Sequence, residues 1–267
     1  MQERIGFIGL GAMGGALLKG LLDGGVEPGT IVASDALKVK LDEMALKYGI
    51  EAAKDPRSVA ESARVIFLAV KPQDMKGLLQ TIAPVMTEGQ LVVSVAAGVS
   101  LADIESILDG VGVIRVMPNT PCLVGEGAMA ISAGKDVKEE DVHKVASWLE
   151  TLGIVRIVPE KLMDAVTGVS GSGPAYVYLM IEALADGGVL AGLPRAMAAE
   201  LAAQTVLGAA KMVMETGEHP AVLREMVTSP GGTTAAALYA LEEGGFRAAV
   251  QTAVKKAAKR SEELGNS

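Results

Sequence analysis

The run Arg4-Ile-Gly-Phe-Ile-Gly-Leu-Gly-Ala-Met-Gly14 constrains the fold more than any other stretch of the chain. It reads as a short apolar strand passing directly into a tight turn and a helix. Gly9, Gly11 and Gly14 are spaced G-x-G-x-x-G, with Gly15 behind them. Each spacing has a physical reason: the first glycine permits the turn, the second lets the backbone approach a pyrophosphate, and the third lets helix and strand pack closely. The helix that follows points its free amides and positive dipole end at the same place. A glycine-rich strand–helix turn can exist without a ligand, so the reading rests on what comes next. Ile31–Ser34 is a second short strand, and Asp35 follows it at about the 20-residue spacing at which an acid accepts hydrogen bonds from an adenosine ribose. Asp35 also suits the N-cap of a helix over 37–48.

Nearly all-apolar runs then alternate with helical patterns. Arg64–Ala69, Leu91–Val95 and Gly112–Met117 read as strands buried on both faces, with helices at 73–83 and 101–109 between them. The alternation predicts an α/β fold, a Rossmann-type doubly wound parallel sheet. Gly127–Ser132 and Ile154–Val158 add strands around a helix over 138–152. Ligands bind off the carboxyl ends of such strands. Lys71-Pro72, Ala96-Ala97-Gly98 and Asn119 all fall there, and the small residues at 96–98 leave room for a flat ring. Lys71 suits a phosphate or carboxylate as well as it suits a solvated surface position.

After Pro159 the pattern changes to helices alone, at 174–190, 194–215, 219–227, 233–243 and 245–264. The chain therefore divides into a dinucleotide-binding domain over 1–159 and an all-helical domain over 160–267. These helices are Ala-rich and apolar on more than one face, more than about 110 residues can bury by themselves, which predicts an oligomer formed through them. Gly168–Pro174 reads as a flexible, amide-rich loop opening a helix. Thr228-Ser-Pro-Gly-Gly-Thr-Thr234 is a second donor-rich turn before a helix, suited to a carboxylate. Singly, such turns more often only cap helices.

Composition narrows the function. A net charge of −8 argues against nucleic acid or an anionic membrane as partner. No apolar run demands a membrane span. One cysteine, Cys122, excludes an intrachain disulfide and reads as a small core residue. His143 and His219 are too few and too far apart for an ordinary metal site, so none is expected. The first strand begins by Arg4 and leaves no room for a signal peptide, which predicts a cytoplasmic protein.

With these motifs in hand, the chain resembles the pyrroline-5-carboxylate reductases over essentially its whole length. The resemblance is carried by Gly6–Gly11, Leu68-Ala-Val-Lys-Pro72, Ser94-Val-Ala-Ala-Gly98, Met117-Pro-Asn-Thr-Pro121, Asp164–Tyr176, Ala183–Gly188 and, most specifically, the signature around Ser229–Ala235. It implies NAD(P)H-dependent reduction of 1-pyrroline-5-carboxylate to L-proline, the last step of proline biosynthesis. It also implies a helical domain that dimerises, with dimers assembling into a decamer as a pentamer of dimers. By position, Ile8, Gly9, Leu10, Gly11, Ala12 and Met13 would bind the pyrophosphate, and Ser34 and Asp35 would border the ribose. Ala69, Val70, Lys71 and Pro72, with Val95, Ala96 and Ala97, would line the path to the nicotinamide, with Asn119 at the same edge. Ser229, Thr233 and Thr234, with the amides of Gly231 and Gly232, would hold the substrate. Thr234 matches the hydroxyl beside the imine nitrogen and is the candidate catalytic residue.

The chemistry agrees, because reducing a protonated imine needs a hydride donor held close and dry rather than a metal or strong nucleophile. Asp35 is a departure: an ionised carboxylate there opposes a 2′-phosphate, with Lys38 and Lys40 a turn later favouring one, so NADPH and NADH both remain open. Two alternatives stand beside this reading. The β-hydroxyacid dehydrogenases are similar at Gly6–Gly14 and at Gly168–Gly173, but their catalytic lysine would fall at Val177, and no lysine occurs from 162 to 210. The other is a non-catalytic nucleotide-binding protein, marked by cofactor binding without imine turnover.

Overall fold

A computed structural model describes residues 3–265. Its centre is one eight-stranded sheet in the order β3-β2-β1-β4-β5-β6-β7-β8. β1 (Ile5–Ile8) lies between β2 (Ile31–Ser34) and β4 (Val65–Leu68), in parallel with both. β5 (Leu91–Ser94) and β6 (Gly112–Met117) extend the parallel run beyond β4. All residues of these five strands are buried, as their unbroken apolar character requires of strands covered on both faces.

Alternate residues feed two cores. Ile5 and Phe7 join Phe67, Val93 and Val116 on the face covered by α1 (Ala12–Asp23), α2 (Lys38–Tyr48) and α6 (Glu139–Leu149). There Phe7 and Phe67 stack with centroids 4.8 Å apart. Ile8, Ile66, Val92 and Val113 face α3 (Pro56–Ser62), α4 (Pro72–Ile82) and α5 (Leu101–Glu105). Each such Leu, Ile or Phe contributes roughly 1.5–3 kcal/mol on burial, so the sheet, rather than any one helix, holds this unit together.

The sheet is not parallel throughout. β7 (Gly127–Ala133) runs antiparallel to β6, and β8 (Gly153–Ile157) then pairs with β7 in parallel. The chain between Met117 and Gly127 is too short for the dozen or more residues a parallel crossover needs, so it turns back. Two further elements lie between α2 and β4: β3 (Glu51–Ala52) and α3, whose N-cap Asp55 accepts from Ser58 N at 2.8 Å, with Pro56 in the first turn. α5 is shorter than the helix expected over 101–109; Ser100 and Asp103 form its capping box.

Gly168–Pro174 is not a flexible loop. α7 (Met163–Val166) runs into a π-helical turn at Thr167–Gly171, and α8 (Gly173–Leu190) follows. The hydroxyls that suggested a ligand loop serve this backbone: Thr167 Oγ1 donates to Met163 O at 2.9 Å, and Ser170 Oγ to Val166 O at 3.1 Å.

Residues 173–254 form a second compact unit, whereas 255–265 group with 3–172. In the second unit α8 pairs with α9 (Arg195–Thr216), and α10 (Pro220–Met226) and α11 (Thr233–Glu243) follow. Its buried cluster is Ala185, Ala198 and Ala202, with Ile181 and Val189 partly buried around them. Leu179, Leu190, Leu201, Met214, Met226 and Tyr239 are about half exposed or more. A core of three alanines cannot hold such a unit, so these faces need a further surface. The last helix, α12 (Phe246–Gly265), begins in the second unit and ends in the first.

Candidate functional site

The loop after β1 is built as its glycines require. Gly9 has φ +94°, and a Cβ there would stand 2.6 Å from Ala69 O. A Cβ on Gly14 would stand 2.2 Å from Gly9 O. Gly11 differs: it is the N-cap of α1 with φ −55° and ψ −169°, and a Cβ on it would meet nothing within 4 Å. The fold does not need a glycine there. What a side chain at Gly11 would obstruct is the open space in front of the α1 N-terminus, whose first turn carries no acid. This is the cradle an approaching diphosphate requires. A cleft of about 560 Å³ begins at Gly11 and Ala12 and runs along α1 past Gly15 to Lys19 and Lys40.

Asp35 sits just beyond β2, but it is not the N-cap of α2, which is Leu37. Its Oδ2 accepts from Leu10 N at 2.6 Å and its Oδ1 from Leu37 N at 2.8 Å. The Leu10 amide is thus spent inside the chain, and the Leu10 side chain is fully buried. Of the loop residues expected to face a pyrophosphate, Leu10 instead ties the loop to the end of β2. Beside it, Ser34 is buried at the end of β2, its Oγ shielded from solvent and without a partner among the described residues.

The other expected residues lie along the same carboxyl edge. Ala69 N donates to Ile8 O at 2.9 Å and Val95 N to Leu68 O at 3.1 Å, so both segments continue the ladder past the strand ends. Lys71 is the exposed N-cap of α4, with Pro72 behind it. Asn119 is buried, and its amide acts as a brace: Nδ2 donates to Ser170 O at 3.1 Å, and Oδ1 accepts from Ala128 N at 3.0 Å. Cys122 is buried nearby, and burial pushes its thiol pKa up, so it is an unreactive core residue.

In the helical unit, Ser229 to Gly232 curl tightly. Gly232 N donates to Ser229 O at 3.0 Å, and Gly231 takes φ +68°. Gly232 is the N-cap of α11, and no side chain caps this helix. Thr233 and Thr234 occupy its first turn. Among the described residues the Thr234 hydroxyl, half-buried, has no partner in the chain.

Two groups escaped the sequence reading. Arg115 on β6 is buried and pairs through Nη1 with Glu160 Oε1 at 3.2 Å; the same oxygen accepts from Leu101 N at 2.7 Å. The only signal was a charged residue inside a buried strand. The other is Ser261 on α12, whose hydroxyl donates to Asp164 Oδ1 at 2.6 Å. Among the described residues, no cluster of His, Cys, Asp and Glu could hold a metal ion, and no helix is long and apolar enough to cross a membrane.

A fingerprint loop at the switch point of such a sheet, joined to a helical unit with exposed apolar faces, defines a dinucleotide-binding oxidoreductase of the two-domain kind. Comparison with known proteins narrows this. The family profile "Pyrroline-5-carboxylate reductase dimerisation" matches residues 160–264, and "NADP oxidoreductase coenzyme F420-dependent" matches 4–98. The pyrroline-5-carboxylate reductase of Methanosarcina acetivorans is 47% identical over 266 residues, 99% of this chain and 98% of its own. Among solved structures, the enzyme from Coxiella burnetii superposes with a TM-score of 0.93 at 37% identity, covering 99% of both chains. That of Plasmodium falciparum, with NADP bound, superposes at 0.89 and 33% identity, covering 99% of this chain and 98% of its own. The chain belongs to the pyrroline-5-carboxylate reductase family and carries that family's dimerisation domain.

Proposed function

We propose that the chain reduces 1-pyrroline-5-carboxylate to L-proline with NAD(P)H, closing proline biosynthesis. Its cofactor is NADPH or NADH, which when bound supplies the hydride. The residues present fit such a group: Gly11 leaves the space for it, the Ala12 and Met13 amides begin the helix behind that space, and Ser34 and Asp35 border the ribose end. Ala69–Pro72 and Val95–Ala97 border the nicotinamide end, where the small side chains of Ala69, Ala96 and Ala97 let a ring approach.

The substrate carboxylate takes the Gly231 amide and the hydroxyls of Ser229 and Thr233; the Gly232 amide, expected from the sequence to join them, is spent on Ser229 O at 3.0 Å. Thr234 orients the imine nitrogen. A threonine hydroxyl is too weak an acid to supply the proton alone, so it relays one from water. The observation that carries this assignment is the Thr234 hydroxyl at the start of α11, which neither caps the helix nor bonds to any other described residue.

The division of labour follows residues 1–159 for the dinucleotide and 160–267 for substrate and assembly. The exposed apolar faces of α8, α9 and α11 support a homodimer as the working form, and a decamer of five dimers as its larger assembly. The chain acts in the cytoplasm and needs neither nucleic acid nor a membrane. Oxidation of NADPH and of NADH with 1-pyrroline-5-carboxylate, read at 340 nm with proline as the product, tests the assignment. Cofactor binding without imine turnover would refute it.

A further inference from the structure

In the turn after β5, Ala96 is buried and its N donates to Ser94 Oγ at 3.4 Å, but the residues beyond it have little of their own to hold them. Ala96, Ala97 and Gly98 carry almost no side chain, and Gly98 has φ +76°. Its position is therefore set by what touches it. Downstream, Leu101 N is held by Glu160, itself paired with Arg115. On the other side lies the closing turn of α12. A Cβ on Gly98 would come within 3.2 Å of Leu264 Cβ, and one on Gly265 within 3.0 Å of Gly98 O. That turn is fastened in its own right, because Ser261, 5% exposed, donates to Asp164 at 2.6 Å. Residues 255–265 thus belong to the first unit, with Leu264 and Gly265 against the turn that borders the nicotinamide end.

We propose that the closing turn of α12, keyed by Ser261 to Asp164, is a positioning element for the Ala96–Gly98 backbone and so for the nicotinamide ring. The inference rests on the dinucleotide reading above. Ser261 touches neither cofactor nor substrate in this account. It acts through Leu264 and Gly265 on Gly98. A hydride acceptor and donor must be aligned within a fraction of an ångström, so a turn that gives way costs rate as well as affinity.

The test uses the full-length, assembled enzyme with Ser261→Ala and, from the other side of the bond, Asp164→Asn, which keeps an acceptor oxygen. Binding of NADPH and NADH is measured by their fluorescence. Binding of ADP-ribose and its 2′-phosphorylated form, which lack the nicotinamide ring, is measured by calorimetry. Ser261→Ala should weaken reduced-dinucleotide binding by about three- to tenfold, equivalent to about 0.7–1.4 kcal/mol. It should also lower kcat, and leave the ring-less ligands within about twofold of the parent at that conversion. Asp164→Asn should fall between parent and Ser261→Ala.

Equal weakening of both ligand classes would mean a loosened fold and would overturn the proposal. So would a lowered melting temperature with unchanged dinucleotide affinity and kcat. If the parent enzyme binds neither NADPH nor NADH, the dinucleotide reading itself fails; if it binds them and the variants match it, only the positioning role fails.

Discussion

Replacing Thr234 with valine separates chemistry from folding unusually well in this structure. Valine keeps the branched shape and removes the hydroxyl. A cap-forming threonine would lose about 1 kcal/mol of stability on such a change. Here the N-cap of α11 is Gly232, no side chain caps the helix, and the Thr234 hydroxyl has no partner among the described residues. The fold therefore loses no internal hydrogen bond, and the stability change should stay within about 0.5 kcal/mol, the usual range for such positions. The substrate loses more. A hydrogen bond to a charged group contributes roughly 1.5–3 kcal/mol, which at about 1.36 kcal/mol per decade is a tenfold to hundredfold fall in kcat/KM for the imine. Cofactor affinity should hold, because the Gly11 cradle lies in the other unit. Steady-state kinetics, NADPH binding and a melting curve on one preparation give all three numbers. A melting temperature lowered by several degrees with kcat/KM unchanged would refute the catalytic role and return Thr234 to a structural one.

Gly11→Ala should leave the melting temperature equal or slightly higher, since the backbone is accessible to alanine and its Cβ meets nothing within 4 Å; NADPH affinity should fall at least about tenfold if a diphosphate needs that space, and unchanged affinity would place the cofactor elsewhere. Asp35→Ser should raise the NADPH-to-NADH ratio of kcat/KM by relieving charge repulsion, while weakening both cofactors somewhat, because the Leu10 N bond at 2.6 Å is lost with it; a ratio that does not move would leave Asp35 as a strut only. Asp141 gives a pH dependence. Burial alone pushes its carboxyl pKa up, but bonds from Arg64 at 2.9 Å and Lys144 at 3.1 Å outweigh this and hold it below the usual carboxylate range. A depressed native pKa stabilises above the unfolded value and is lost as pH falls through the native one, so the melting-temperature gap between parent and Asp141→Asn should close from about pH 4 downward; parallel curves would count against the network.

What could be read from the sequence was whatever local chemistry decides. The turn glycines, the apolar strands and the α8–α11 boundaries follow from neighbours within a few residues, and the sequence reading placed each of them to within two residues. β7 was legible as a strand, and the short link from Met117 to Gly127 also implied its antiparallel direction, although the alternation of strands and helices pointed to a parallel sheet. The Gly168–Gly173 stretch misled because glycine and hydroxyl residues look alike whether they serve a ligand or a helix; only the bonds of Thr167 and Ser170 back to Met163 and Val166 decide.

The residues that hold the expected site in shape were the least legible, and the reason is distance along the chain. Asn119 braces Ser170, Glu160 holds both Leu101 and Arg115, and Ser261 reaches Asp164, with separations of 51, 59, 45 and 97 residues. No periodicity reports such a pair. Asp35 shows the same limit inside a recognised motif. Its place after β2 marks it as a ribose acid, yet the structure makes it the tie between that strand and the glycine loop through Leu10. The two roles are compatible, since each carboxylate oxygen has a second lone pair. On the proposed cofactor site, one carboxylate would set both the position of the loop facing the pyrophosphate and the charge facing the ribose. Any change in cofactor preference made at Asp35 must therefore also move the glycine loop, and a variant that shifts preference without losing affinity will need a new partner for the Leu10 amide.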